Sequence, residues 1–119
     1  HQWVKKLKED DEFLLGVTPH LLRQLGTLIY LDLPDVSDEV MRRLPYGEIE
    51  SDSGIHVLYP PMDGGVIDVN ESIVDRLDAL SSDPLEEGWL IKIKGHRPEQ
   101  YDELLAAAGY EEVTRRKKE

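Results

Sequence analysis

The chain contains no cysteine, which rules out both a disulfide framework and a thiolate metal site and permits a reducing compartment. No lysine occurs between Lys8 and Lys92, so the long middle of the chain offers no primary amine. No apolar run approaches the roughly 20 residues that cross a bilayer as a helix, and no signal-peptide pattern opens the sequence. There is no phosphate-cradling glycine loop and no Gly-x-Ser-x-Gly elbow. Nothing here resembles an enzyme, and a cytoplasmic location is the expectation.

What the sequence does have is charge. Of 119 residues, 33% are charged and 39% hydrophobic, and 25 acids against 14 bases give a formal net charge of -11. That excess repels nucleic acid and anionic membranes alike, so neither is expected as a partner. The bases cluster at Lys5, Lys6 and Lys8 and again from Arg115 to Lys118, which leaves the middle more acidic than the total suggests. The length fits one domain with a single core, spanning 1–119.

Short runs rich in β-branched and aromatic residues recur between turn formers, which predicts strands at Trp3 to Leu7, Phe13 to Val17, Thr27 to Leu33, Tyr46 to Ser51, Ile55 to Tyr59, Gly65 to Val69 and Trp89 to Lys94. Such spacing implies an all-β-dominated fold, a sandwich or partly open barrel. Three short helices are predicted beside it. Thr18 caps the first, with Pro19 at its first position, Leu21, Leu22 and Leu25 on one face and Gly26 as its stop. Asn70 caps a second carrying Ile73, Val74, Leu77 and Leu80, and a third runs from Pro98 to about Ala108, with Tyr101, Leu104, Leu105 and Ala108 on one face and Gly109 ending it. Residues 114–119 are expected to fray. The segment from Pro34 to Asp38 is turn chemistry, and Trp3 and Trp89 are expected in the core.

The candidate chemical sites are sparse. His1, His20, His56 and His96 show no zinc-site spacing and read as surface histidines. Asp32, Asp35 and Asp38 lack the mid-loop glycine and distal glutamate of a calcium loop, so no metal site is expected. Glu48, Glu50 and Asp52 alternate along a strand and share one face, but no nucleophile or oxyanion donor converges on them, and no catalytic residue is assigned.

The fragments His1-Gln2-Trp3, Gly16-Val17-Thr18 through Leu25-Gly26, Tyr30 to Pro34, Val66 to Glu71 and Gly88-Trp89-Leu90-Ile91-Lys92 occur in the order and with the gaps of one family. The chain resembles the H protein of the glycine cleavage system over essentially its whole length. That resemblance implies a lipoyl-domain-like barrel-sandwich hybrid. It also implies a hairpin whose tip carries a lysine amide-linked to lipoic acid, the arm that serves the P, T and L enzymes.

The family's hairpin reads Gly-x-x-Glu-Ser-x-Lys, then Tyr-x-Pro, then a glycine. Gly47, Glu50, Ser51, Tyr59, Pro61 and Gly64 fall in register, and the lysine position is Ser53. Its neighbours Asp52, Gly54, Ile55 and His56 also depart from the family pattern. A hydroxyl does not replace an amine in an amide. The expectation that follows is a protein without a lipoyl cofactor, retaining Gly47, Glu50, Ser51 and Gly64 as a recognition framework. Such a protein is an adaptor or regulator binding lipoate ligase or the P, T or L enzymes. The alternative is a glycine cleavage H protein, the aminomethyl carrier itself. A third reading is a small-molecule binder that uses Asp52 and His56 at the tip.

Overall fold

The computed structural model describes residues 2–8 and 11–107, with side chains as far as residue 104. Among the described residues there are eight strands in two antiparallel sheets. Five strands form the larger sheet: β1 (Gln2–Lys6), β2 (Glu12–Val17), β4 (Glu39–Val40), β7 (Gly64–Val69) and β8 (Ile91–Gly95), in the order β1-β2-β8-β7-β4. The smaller sheet has the order β3-β5-β6, from β3 (Leu28–Asp32), β5 (Gly47–Ser51) and β6 (Gly54–Leu58). All seven predicted strands are present, shifted by a few residues at their ends.

Alternation decides what each sheet buries. Phe13, Leu15 and Val17 of β2 and Ile91 and Ile93 of β8 join Leu31, Ile49 and Leu58 of the smaller sheet in one buried cluster. On the outer face of the larger sheet Glu12 stands across from Lys94, and Lys92 across from Leu14. Removing a fully buried side chain such as Leu58 down to alanine costs about 2–5 kcal/mol by the usual transfer and cavity terms.

The first helix forms as its sequence dictates. In α1 (Pro19–Leu25), Thr18 Oγ1 accepts from the Leu21 amide at 3.2 Å, and Gly26, at φ +83°, ends the helix by donating to the Leu22 carbonyl. Leu21, Leu22 and Leu25 are buried on the predicted face.

Several expectations are corrected. β4 is too short and too acidic to show as a strand in the sequence, and it forms because Glu39 and Val40 pair with Gly65 and Gly64 of β7. The second helix is two pieces, α2 (Glu71–Val74) and α3 (Leu77–Ser82), broken at Asp75 and Arg76. Asn70 does not cap it by its side chain. Its amide instead donates to the Glu87 and Trp89 carbonyls, tying the α2 start to the approach of β8. Trp3 is buried in the core as expected; its indole donates to the Pro84 carbonyl, and its ring covers Gly16 so closely that a Cβ there would sit 2.4 Å away. Trp89 is only half-buried. The last helix, α4, is Glu99–Ala107. The Leu105 side chain, Ala108, Gly109 and the charged tail lie outside the described residues.

One polar latch joins α4 to the loop before β7. Gln100, buried at the α4 start, accepts from the Asp63 amide and donates to the Asp63 carboxylate, while the Arg42 amide donates to its other oxygen. The bond from Arg42 holds the Asp63 pKa below the ordinary carboxylate value. A lowered folded-state pKa stabilises the fold above the unfolded value of about 3.9, and the contribution is lost as pH falls through the folded value. Asp63→Asn is therefore expected to lower the urea midpoint at pH 7, with the gap to the parent closing in acid below about pH 4. Parallel urea titrations across pH check this; a constant gap down to the acid transition contradicts it.

Candidate functional site

The hairpin β5-β6 is built by three local constraints. Gly47 opens it where the backbone of β3 comes so near that a Cβ would lie 2.3 Å from the Asp32 carbonyl oxygen, so only glycine fits the approach. From there the strand alternates, putting Ile49 and Ser51 inside and leaving Glu48 and Glu50 half-buried on the outer side. At the far end Gly54, at φ +129° with no atom within 4 Å of its Cβ position, closes the turn because a side chain there is strained by the backbone and not by its neighbours.

The tip is pinned rather than free. Ser51, only 4% exposed, accepts from the Ser53 amide at 3.2 Å and lies 3.0 Å from the Ser53 hydroxyl. The Ser53 hydroxyl also donates to the Leu25 carbonyl at 3.0 Å, and the Asp52 amide donates to the Thr27 carbonyl. The Asp52 carboxylate covers Gly26, where a Cβ would be 2.6 Å from Oδ1. The tip thus rests on the C-terminal end of α1.

Beside it lies an open groove of about 610 Å³, lined by Gly26, Thr27, Asp52, Leu77, Asp78 and Ser81 among others. His56 is not among its lining residues. It stands opposite Ile49 on the inner side of β6, so the Asp52 and His56 pairing of the small-molecule reading does not form. Partial burial lowers the His56 pKa, which keeps the imidazole neutral at pH 7. Of the other histidines, His20 and His96 are exposed, the latter against Glu39, and His1 lies outside the described residues. Among the described residues no group of histidines and acids could hold a metal ion, and no helix is long and apolar enough to cross a membrane.

The framework residues are separated by function. Ser51 holds the turn, Glu50 faces outward beside it, and Gly64 opens β7 where a Cβ would meet the Lys94 carbonyl at 2.6 Å. Sequence reasoning missed the Leu25 and Thr27 carbonyls and the Asp52 contact with Gly26. Residues 25 to 27 and 52 to 53 are brought together only by the fold, so no spacing in the chain could have revealed them.

Two sheets that present one pinned hairpin are the arrangement that the sequence resemblance implies. The family model for the glycine cleavage H-protein matches residues 1–117. The glycine cleavage system H protein of Anaeromyxobacter sp. (strain K) is 34% identical over 110 residues, 92% of this chain and 84% of that protein. That of Staphylococcus carnosus (strain TM300) is 32% identical over 113 residues, 95% and 88% of the two chains. A crystal structure of a glycine cleavage system H protein from Mycobacterium marinum superposes with a TM-score of 0.74 at 28% identity, covering 81% of this chain and 79% of that one. The chain belongs to the glycine cleavage H-protein family.

These comparisons correct two expectations. The adaptor reading rested on Ser53 at the lysine position and the altered tip around it, whereas the similarity to H proteins spans residues 1–117, so the H-protein alternative is the better supported. The expectation of no lipoyl cofactor is overturned on the same ground, because the family is the lipoate-carrying one. The attachment chemistry at the tip is a separate matter. An amide-linked lipoyl group needs an amine, and position 53 presents a hydroxyl already hydrogen-bonded to Ser51 and Leu25. The residues at the tip do not fit that linkage.

Because Ser51 Oγ anchors the turn from a buried position, Ser51→Ala is expected to destabilise the fold by about 1–2 kcal/mol and to speed hydrogen exchange at the Ser53 amide. Chemical denaturation with exchange NMR measures both, and unchanged exchange at that amide would show the anchor to be dispensable.

Proposed function

We propose that the chain works as the H protein of a glycine cleavage system, the carrier component of glycine decarboxylation. In this role it is not an enzyme: the P, T and L enzymes bind it in turn, and the tip at Asp52-Ser53-Gly54 is the part directed toward them. The reading is supported most by the hairpin framework. Gly47, Glu50, Ser51 and Gly64 stand in the family's register, two of them forced by close backbone approaches and one by the buried turn anchor. On this reading the framework serves enzymes that recognise the hairpin, lipoate ligase included. A cytoplasmic location goes with such partners.

The direct test is binding of the parent protein to purified P, T and L enzymes by calorimetry, with association on the order of 10 µM or tighter expected for at least one of them. No binding to any of the three would overturn the reading. The framework is tested separately by placing the amine. Ser53→Lys, coexpressed with a lipoate ligase and lipoate, is expected to gain the mass of one lipoyl group, and S53K combined with Glu50→Ala to gain much less. An S53K protein that folds, as judged by circular dichroism, yet stays unmodified would show that the framework no longer presents position 53 to a ligase.

A further inference from the structure

The outer side of the small sheet carries a surface that the tip does not use. Cross-strand pairing fixes its rows: Tyr30 stands opposite Glu50 and Glu50 opposite Ile55, while Asp32 stands opposite Glu48 and Glu48 opposite Val57. Each row therefore runs from β3 through a β5 carboxylate to an apolar residue on β6. The apolar members are open to solvent, with Tyr30 49%, Ile55 61%, Val57 39% and the following Tyr59 49% exposed. β-branched residues normally turn inward from such a strand, since burying one stabilises the fold by roughly 1.5–3 kcal/mol, so a row of them facing water marks a contact surface.

Two further observations sharpen this. Asp32 and Glu48 are like charges directly opposite one another, an arrangement that destabilises a sheet, and β3, β5 and β6 contain no lysine or arginine to offset it. Among the described residues neither they nor Glu50 form an ion pair. In addition, β6 is an edge strand with no charged residue and no bulge. The other long edges are blunted in the usual ways, β1 by Lys5 and Lys6 and β3 by its irregularity between Leu28 and Tyr30.

We infer that this face is a docking surface for a protein partner that presents an apolar strip flanked by lysine or arginine side chains. Such a partner covers Ile55, Val57 and Tyr59 and at the same time supplies the cations that the Asp32, Glu48 and Glu50 row lacks. A second copy of this chain does not fit, because the same face would set three carboxylates against three. Anionic membranes and nucleic acid are repelled by the same row. The inference rests on the H-protein reading only in naming glycine cleavage enzymes as the first partners to try; the chemistry of the face stands by itself.

The experiment has two arms. In the first, the binding of P, T and L enzymes to the parent protein is compared with Glu48→Gln/Glu50→Gln, with Ile55→Ser/Val57→Ser, and with the control Asp102→Asn/Glu103→Gln, which removes equal charge from exposed positions on α4. The two face variants are expected to weaken at least one enzyme by about tenfold or more, the control to bind within about twofold, and parent binding to weaken with salt. In the second, the probe is an amphipathic leucine–lysine peptide titrated into the labelled parent protein and followed by NMR. Shifts are expected on β3, β5 and β6 and to be lost in the Ile55→Ser/Val57→Ser protein. Glu48→Gln alone is further expected to raise the Tm while weakening the peptide, since it relieves repulsion that the free protein carries without use. Enzymes that bind the face variants as tightly as the parent overturn the proposal. So do peptide shifts confined to other surfaces. If no enzyme binds the parent but the peptide maps to this face, the H-protein reading fails and the docking surface stands.

Discussion

The approach of the β3 backbone to Gly47 fixes the register on which the rest of the hairpin depends. With only 2.3 Å between a would-be Cβ and the Asp32 carbonyl oxygen, β5 can lie against β3 in that position only as glycine, and strand periodicity then leaves no choice about the residues that follow. Ile49 and Ser51 go inside, where one completes the core and the other anchors the turn, and Glu48 and Glu50 go outside. A slip of one residue would exchange these roles at once, burying two carboxylates and exposing the core.

The tip inherits its position from this register, and its chemistry from contacts that cross the fold. Ser53 is held by Ser51 within the hairpin and by the Leu25 carbonyl outside it, with Asp52 laid over Gly26. Gly26 is thus both the stop of α1 and the ledge on which the tip rests. A side chain there would need to stand where Asp52 is, in a backbone conformation at φ +83° that favours glycine. Family membership and the residue at position 53 are consequently different kinds of fact. The first is spread over 117 matched residues and survives any single change, while the second governs which bond the tip can make.

The two faces of the small sheet divide the work of the molecule. Its inner face, through Leu31, Ile49 and Leu58, closes the core against β2 and β8. Its outer face is left with like charges opposed and apolar side chains in water, a combination unfavourable to the isolated protein and consistent with a surface shaped by contact with something else.

Much of this was legible in the sequence because it is local or periodic. The Thr18 cap, Pro19 and Gly26 define α1 within nine residues, alternation marks the long strands, and the glycines, Glu50 and Ser51 identify the hairpin. The two-residue β4 was not legible, since a strand of that length exists only through its partner β7. The break at Asp75 and Arg76 lies inside a continuous apolar period, and Trp89 lies half-exposed before β8 where its hydrophobicity suggested the core, a place that Trp3 does take, packed on Gly16. The sequence by itself determined the family, the elements and the absence of an amine at position 53, all of which are properties of order along the chain. Only the tertiary structure decided that Ser53 is tied to α1 and that Asp32 faces Glu48 beside an apolar strip, because those contacts join residues from separate elements and exist only once the sheets have paired.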